Sequence, residues 1–219
     1  MNTYVLSLPS SPRRNVIRAE LERACVSFEF ADGVMVSQDR HAFLREWMAT
    51  TFPELPPSPI STELSHGTLG TLLAFLQLFK RIAEDDRHAL SLVVEDDSVI
   101  NGAFDFGCIK WDALHESGGN SMFTFVHRST KRYGLWAQLV SREGAQFMVG
   151  NVLDVLRANI PIDFYIWEHP SITRYNLFAS TGAWLFQQVA PENHVAHSER
   201  LRINMWHNGH ARDYAVSRK

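Results

Sequence analysis

Cysteine and long apolar runs are both scarce in this chain of 219 residues. It has 2 cysteines, Cys25 and Cys108, too few for the disulfide framework of a small secreted domain, which favours a reducing cytoplasm. Cys25 falls within an apolar helical pattern, where a small buried side chain is the expected role. No window holds the roughly 18 continuous apolar residues of a membrane span, and no basic leader opens the sequence. A cytoplasmic protein, at most peripheral at the inner membrane face, is therefore expected.

An excess of charge of one sign is also missing. The chain has 21 Lys and Arg against 24 Asp and Glu, a formal net charge of −3, and its basic residues are scattered. No basic face that would neutralise many phosphates is indicated, so an extended nucleic-acid surface is not expected. The length and the 45% hydrophobic content favour a single domain over residues 1–219. Nothing in the pattern indicates an oligomeric state.

What the chain does have is an apolar run that ends in three acids. Residues 90–94 read Leu-Ser-Leu-Val-Val, which is typical of a strand buried on both faces of a parallel sheet, and Glu95-Asp96-Asp97 follows directly. In open α/β folds, ligands bind outside the carboxyl ends of the strands. Carboxylate oxygens suit a hard cation such as Mg²⁺ or Mn²⁺. A solvated acidic turn is the alternative interpretation.

The remaining pattern predicts an α/β fold with a mainly parallel sheet flanked by helices. Strands are predicted at residues 4–8, 26–30, 90–94, 122–126 and 135–140, and helices after Pro12, over 69–82 and over 145–156. Residues 37–65 contain Pro53, Pro56, Pro57 and Pro59 and are expected to form a proline-rich loop, either a spacer or a flap over a ligand. Residues 160–163 are expected to end the last helix and to direct Asp163 back toward the sheet. Residues 199–219 are expected to be a carboxyl-terminal extension.

Seven motifs, taken in order, resemble those of glycosyltransferase family 25, which includes lipopolysaccharide-building galactosyl- and glucosyltransferases and collagen galactosyltransferases. They are residues 5–8 with Arg13-Arg14, residues 28–33, the Gly67-x-x-Gly70 helix segment, the acid triplet Glu95-Asp96-Asp97, residues 133–145, residues 160–163, and residues 184–188 with Ser198 beyond. The chain departs from the family at Thr71 and Ala74-Phe75, where the family has Cys and then Ser-His. The nearby Ser65-His66 does not align with that pair, so it is not assigned the family role.

The resemblance implies a GT-A-type nucleotide-sugar-binding domain. It further implies metal-dependent, inverting transfer of galactose or glucose from a UDP-sugar to a hydroxyl of a glycan acceptor such as lipopolysaccharide. Mn²⁺ or Mg²⁺ is the implied cofactor, with Asp97, Glu95 and His197 as candidate metal ligands. Candidate nucleotide-sugar-binding residues are Ser7, Leu8, Arg13, Arg14, Asp32, Glu95, Asp96 and Gln187. Asp163 is the preferred catalytic base, and Glu143 is its rival.

Most of these candidates also have a purely structural interpretation. Arg13 and Arg14 suit phosphate oxygens, but they could equally mark a solvent-exposed helix start. Asp32 could bind a ribose or a uracil ring, or form a simple Asp-Gly turn. Glu143 also reads as a first-turn acid that interacts with a helix dipole.

His197 and the function itself also have alternatives, and the triplet has an expected orientation. His197 could be an exposed or capping histidine rather than a ligand. Glu95 and Asp97 alternate on the exiting strand, so they are expected on one side, with Asp96 on the other. The alternative functions are a non-catalytic nucleotide-sugar or glycan-binding relative and a transferase for a protein or modified nucleic-acid acceptor.

Overall fold

Strands and helices alternate along most of the chain in the computed structural model, which describes residues 1–56, 60–100, 122–125, 137–173, 177–179 and 186–188. The strands are β1 (Asn2–Ser7), β2 (Glu29–Asp32), β3 (Leu90–Glu95), β4 (Ser98–Ile100), β5 (Phe123–Phe125), β6 (Ala137–Ser141), β7 (Leu177–Ala179) and β8 (Phe186–Gln188). The helices are α1 (Arg13–Arg23), α2 (Arg40–Thr51), α3 (His66–Glu84), α4 (Arg142–Gly150), α5 (Val152–Ala158), α6 (Ile162–Glu168) and α7 (Pro170–Thr173). Among these helices, none combines the length and apolar character that crossing a bilayer requires.

Six strands form one sheet in the order β2-β1-β3-β6-β5-β7. β1 pairs in parallel with β2 and β3, and β5 pairs in parallel with β7. β6 is antiparallel to both β3 and β5, so β6 runs against the common direction of the other five strands. β4 and β8 form a separate antiparallel pair. The predicted α/β class with a mainly parallel sheet flanked by helices is confirmed.

Helix α3 supplies the largest share of the core. Ser65 caps its first turn by accepting a hydrogen bond from the Thr68 N–H, which satisfies one of the unpaired donors of a helix start. Buried positions recur along its whole length: Leu69, Gly70, Leu72, Leu73, Ala74, Phe75, Leu76, Leu78, Phe79 and Ile82. Each large apolar side chain buried in this way contributes about 1.5–3 kcal/mol of transfer free energy. The prediction of a mostly buried helix here was correct.

The sheet is covered on both faces. α1 packs on one face, where Ile17 and Leu21 meet Val5, Leu92 and Leu139; we call this the α1 face. α3 lies on the other face, together with the buried residues of α2 and α4 to α6 and with Tyr4, Leu6, Val93 and Val140 of the sheet; we call it the α3 face. Because side chains alternate along a strand, neighbouring residues of β1 and β3 point to opposite faces.

The interpretation of residues 37–65 as a loop was wrong over its first half. Residues 40–51 form α2, whose N-cap Asp39 accepts a hydrogen bond from the Ala42 N–H. Leu44 and Trp47 of this helix are buried, as are Phe52 and Leu64 farther along. The prolines at 53 and beyond exclude a continuous helix to residue 65, but they do not prevent one that ends at residue 51. The described part of this segment is therefore packed into the core.

The second strand was predicted three residues too early. α1 ends at Arg23, and Cys25 then adopts a left-handed conformation with φ 56° while the Val26 N–H bonds to the Leu21 carbonyl at 2.9 Å. This helix closure uses residues 24–26, so pairing with β1 starts at Glu29. Cys25 is exposed, so its predicted place inside a helix, as a small buried side chain, was also wrong.

The helix predicted over residues 145–156 is in fact two helices. Asn151 separates α4 from α5, and its side-chain amide donates to the Phe147 carbonyl at 2.8 Å, in competition with the helical backbone pattern. α5 ends at Asn159, which is left-handed with φ 55°. The Asn159 Oδ1 accepts hydrogen bonds from the Thr62 hydroxyl and the Glu63 N–H, each at 2.9 Å. This contact ties the turn before α6 to the segment before α3.

Candidate active site

The carboxyl ends of three neighbouring strands meet at one edge of the sheet. Ser7 at the end of β1 pairs with Asp32 at the end of β2, and Leu6 pairs with Glu95 at the end of β3. The Gly33 N–H donates to the Ser7 carbonyl at 2.8 Å and holds the exit of β2 against that of β1. The acid triplet therefore lies at the ligand-binding edge of an open α/β sheet, as its position after β3 predicted.

Asp96 is held on the α1 face by two side chains. It is 6% exposed, its Oδ2 accepts a hydrogen bond from the Ser7 hydroxyl at 2.6 Å, and its Oδ1 lies 2.9 Å from Nη2 of Arg13. Its own N–H donates to the Leu6 carbonyl at 3.2 Å. A buried carboxylate is tolerated when charge and hydrogen bonds compensate its lost hydration. These contacts join three predicted nucleotide-sugar-binding residues, Ser7, Arg13 and Asp96, into one unit.

Glu95 lies on the opposite face of the sheet, where Asp163 raises its pKa in addition to its neighbours in the triplet. Because it is paired with Leu6 and lies two residues beyond Val93, its side chain is on the α3 face. Its pKa lies well above the usual value, first because of burial and then because of repulsion by Asp97, Asp163 and Asp96, in that order, while Arg13 opposes the rise. Ile162 and Ile166, on either side of Asp163 in α6, pack in the same cluster as Val93, so α6 lies on the face that carries Glu95. The fold therefore brings Asp163 to the triplet from α6.

Asp163 is presented by the first turn of α6. Pro161 precedes this helix as its N-cap residue, and the Phe164 N–H donates to Asp163 Oδ1 at 3.0 Å. The side chain is half-buried. The predicted direction of Asp163, back toward the sheet, agrees with its electrostatic effect on Glu95. The helix that carries it is α6, which begins after Pro161, and not the end of the preceding helix as was expected.

Arg14 has a different role from its neighbour Arg13. Its guanidinium donates to the Ser7 carbonyl at 2.8 Å, pairs with Asp32 and lies 4.6 Å from the centre of the Phe30 ring. These contacts brace the exits of β1 and β2 against α1. Arg13, which is 40% exposed, keeps part of its guanidinium at the surface of the same edge.

The remaining predicted residues lie at different distances from this edge. Leu8 is half-buried in the turn after β1, and its carbonyl accepts from the Ser11 N–H at 2.9 Å. Gln187 belongs to β8 and pairs with Val99 of β4, two residues beyond Asp97. His197 lies outside the described residues.

Glu143 is not at the site. It is an exposed first-turn residue of α4, directly after β6. Because β6 is antiparallel, its end at Ser141 pairs with Leu90 at the start of β3, and Arg142 bonds there to the carbonyls of Asp86 and His88. The whole length of β3 therefore separates Glu143 from the triplet, and the structure does not bring this candidate base to the site. Its charge favours the helix start instead.

The carboxylates at this edge suit a hard cation that is held partly by the protein and partly by a substrate. Within the described ranges, no three His, Cys, Asp or Glu side chains converge closely enough to hold a metal by themselves. Asp97, which is 3% exposed, and Glu95 nevertheless supply two neighbouring carboxylates. Mg²⁺ is commonly held by one or two carboxylates together with substrate phosphates. The residues present fit that kind of shared site.

One polar residue near this edge was missed by the sequence interpretation. Gln138 is fully buried in β6 and pairs with Val93 of β3. Its signal in the sequence is a single amide inside the otherwise apolar run from Ala137 to Val140.

One family model matches the chain over residues 1–108 and is described as "Glycosyltransferase family 25 (LPS biosynthesis protein)". This segment is just under half of the 219 residues and contains β1 to β4 and the acid triplet. No curated protein sequence is significantly similar to the chain.

Several solved glycosyltransferase structures are distantly similar to the chain. A glycosyltransferase involved in glycosylation of the major capsid of PBCV-1 has 10% identity and a TM-score of 0.48, covering 91% of this chain and 100% of that one. The galactosyltransferase LgtC with donor and acceptor sugar analogs has 9% identity and a TM-score of 0.48, covering 82% and 73%. A Drosophila galactosyltransferase 7 mutant, in complex with manganese, UDP-Gal and xylobiose, has 9% identity and a TM-score of 0.38, covering 89% and 74%. Likenesses this distant assign no role to any residue.

Proposed function

We propose a specific reaction from the match of residues 1–108 to the model of glycosyltransferase family 25. The protein transfers a hexose, galactose or glucose, from a UDP-sugar to a hydroxyl of a glycan, by a metal-dependent displacement that inverts the anomeric configuration. The observation that carries the proposal is that α6, the helix of Asp163, packs on the same face of the sheet as Glu95 of the acid triplet, whose pKa Asp163 raises. An acid from the second half of the chain thereby meets the family segment at the ligand-binding edge.

The donor diphosphate is assigned to the unit formed by Ser7, Arg13 and Asp96. Arg13 carries a half-exposed guanidinium at this edge, and such a group is well suited to phosphate oxygens. The carboxylate of Asp96 lies 2.9 Å from the Arg13 guanidinium and is itself held by the Ser7 hydroxyl at 2.6 Å. Asp32, which is exposed at the end of β2 and paired with Arg14, is assigned to the ribose or the uracil ring.

Asp97 and Glu95 are the carboxylates that would hold Mn²⁺ or Mg²⁺ beside the diphosphate. When bound, the cation would supply Lewis-acid neutralisation of the charge that grows on the leaving diphosphate. The two acids belong to the strand exit itself, so the backbone of β3 fixes their position relative to the Ser7 unit. Charge repulsion between them supports a role in binding a cation.

Asp163 is assigned as the general base. Its carboxylate removes the proton of the acceptor hydroxyl while that oxygen attacks the anomeric carbon from the side opposite the nucleotide. One carbon–oxygen bond forms as the bond to the diphosphate oxygen breaks, the proton ends on Asp163, and the nucleoside diphosphate leaves. Displacement from the opposite side inverts the configuration. A half-buried aspartate in the first turn of a helix suits a group that must meet an incoming hydroxyl.

A glycan acceptor of the lipopolysaccharide type is the acceptor we propose. The description of the matching family as an LPS biosynthesis protein supports it. Substrate choice depends on a few pocket contacts, so the acceptor must be identified by experiment.

The test compares two acids at opposite edges of the sheet. Asp163→Asn should lower kcat by about 10²–10⁴-fold, because a general base contributes that much, while donor binding is retained. Glu143→Gln is the matched control, since Glu143 is exposed at the far edge, and it should keep wild-type kinetics. Transfer from UDP-galactose and UDP-glucose would be measured with lipopolysaccharide and simple glycosides as acceptors.

Other outcomes would redirect the proposal. Unchanged kcat in Asp163→Asn would remove Asp163 from the chemistry. Tight UDP-sugar binding by the wild-type protein, without turnover on any acceptor, would instead indicate a nucleotide-sugar-binding protein.

A further inference from the structure

A buried amide without a partner lies near the middle of the sheet. Gln138 is 0% exposed, and neither polar atom of its side chain has a hydrogen-bond partner among the described residues. Its neighbours Ala137, Leu139 and Val140 are buried and apolar. Leaving an amide unpaired in such surroundings costs folding free energy that an apolar side chain of similar size would avoid. A polar group retained at this cost points to a hydrogen-bond partner outside the protein.

The register places this amide next to the proposed site. Gln138 pairs with Val93 of β3 and with Phe125 of β5. Paired residues share a face of the sheet, as do residues two apart along one strand. Gln138 therefore lies on the α3 face. Its partner Val93 comes two residues before Glu95 on β3, so Gln138 is a diagonal neighbour of Glu95. Diagonal neighbours of this kind have Cβ atoms about 7 Å apart, within reach of one bound ligand.

The charge around the amide selects the kind of ligand. Glu95 and Asp163 are acids, and both lie on this side of the edge. A phosphate or a carboxylate that entered this face without a cation would be repelled by Asp163, whereas an uncharged polyol meets no such penalty. A primary amide offers both donors and an acceptor, and two neighbouring hydroxyls of a sugar ring offer the complementary pair.

We infer that Gln138 binds two neighbouring hydroxyls of a hexose, its amide N–H donating to one and its amide oxygen accepting from the other. The hexose enters from the sheet edge over Glu95 and is held within reach of Asp163. This inference rests on the proposed glycosyltransferase function and adds a specificity-determining residue to it. The hexose is either the sugar transferred from the donor or the terminal sugar of the acceptor, and the kinetics below distinguish the two.

The experiment replaces the amide by an apolar chain of similar length. Gln138→Met should raise KM by about tenfold or more, which corresponds to the loss of about 1.4 kcal/mol of binding. The rise should occur for the donor if Gln138 holds the transferred sugar and for the acceptor if it holds the acceptor sugar. Leu139→Met is the matched control, because Leu139 is the next residue of β6 and packs on the α1 face. It should leave both KM values unchanged.

Deoxy sugars test the hydrogen bond itself. In the wild-type enzyme, the analogue that lacks the bound hydroxyl should lose about tenfold in kcat/KM. In Gln138→Met the same analogue should lose nothing further, because the two changes remove one interaction. The wild-type series needs no variant, so a null result there would overturn the inference even if Gln138→Met fails to fold.

Four results would overturn the inference. Unchanged KM values in Gln138→Met, accompanied by a higher melting temperature, would mean that the amide is merely a tolerated buried group. A wild-type enzyme that loses nothing with any singly deoxygenated donor or acceptor would exclude hydroxyl binding. A wild-type protein that transfers no hexose from any nucleotide sugar would overturn the proposed function, and this inference with it. Normal wild-type turnover with unaltered Gln138→Met kinetics would overturn this inference alone.

Discussion

At the scale of single residues, Arg13 and Arg14 share one sequence signal but have different contacts. Arg13 reaches Asp96 at 2.9 Å and keeps part of its guanidinium exposed. Arg14 is more deeply placed and pairs with Asp32 while it stacks on Phe30. Successive residues of a helix differ by about 100° in direction, so two adjacent arginines cannot serve one partner equally. Only Arg13 therefore remains a direct phosphate-binding candidate in the proposed mechanism.

The hydrogen bond between Ser7 and Asp96 gives a stability prediction at this scale. Ser7→Ala removes a buried donor 2.6 Å from the carboxylate of Asp96. Hydrogen bonds to charged groups contribute about 1.5–3 kcal/mol, so the free energy of unfolding should fall by about that amount. Urea denaturation measures it.

Ser10 provides the control for this substitution. It is exposed in the turn after β1, and Ser10→Ala should change the unfolding free energy by less than about 0.5 kcal/mol. Equal stabilities for the two variants would mean that Ser7 does not hold Asp96 in solution.

At the scale of elements, Gly70 allows α3 to approach the segment after β2. A Cβ atom at this position would lie 2.4 Å from the Val34 carbonyl oxygen, a backbone atom that cannot swing away. The two-glycine motif thus has a packing role that its spacing alone did not reveal. It sets the position of α3 against the edge that carries the acid triplet.

A glycine pair makes this packing role testable. Gly70→Ala should destabilise the protein by about 1–3 kcal/mol, because α3 or the segment at Val34 must move, even though alanine favours helices. Gly150→Ala is the matched control, since a Cβ there meets nothing within 4 Å. It should be neutral or stabilising by up to about 1 kcal/mol. Chemical denaturation measures the stability of both variants. Equal stability would contradict the close approach of α3 to the Val34 carbonyl.

Elements with a strong pattern were predictable, and those limited by local backbone chemistry were not. The buried helix and the strand before the triplet were found because apolar periodicity marks them along their whole length. α2 was missed because just two of its residues, Leu44 and Trp47, are buried, and because prolines follow it. The start of β2 and the break at Asn151 depend on a left-handed Cys25 and a side-chain hydrogen bond, which no periodicity reports.

At the scale of the whole molecule, the sheet separates the polar groups of the site into two sets. Ser7, Arg13 and Asp96 lie on the α1 face, whereas Glu95 lies on the α3 face near Asp163. The proposed reaction assigns the diphosphate to the Arg13 set and the incoming hydroxyl to Asp163, because the two must approach the anomeric carbon from opposite directions. Asp97 follows directly after the sheet exit, beside both sets.

Metal removal tests the molecule as a whole. Chelation with EDTA should abolish transfer, and Mn²⁺ or Mg²⁺ should restore it, because the diphosphate charge is otherwise uncompensated. Asp97→Asn should raise the Mn²⁺ concentration for half-maximal activity by about tenfold or more, the change expected when one carboxylate ligand is lost. Glu143→Gln should leave that concentration unchanged. Full activity in EDTA would exclude metal dependence.

Local periodicity and motif order were enough to predict the fold class, the strand that carries the triplet, and the resemblance to a glycosyltransferase family. Which acids lie near the triplet followed from the three-dimensional fold. Asp163 and Glu143 looked like rival bases in the sequence, yet the antiparallel course of β6 sends Glu143 to the far edge, while α6 returns Asp163 to Glu95. The same strand pairing places the buried amide of Gln138 beside the site. Strand direction and pairing are long-range properties, and a linear pattern does not contain them.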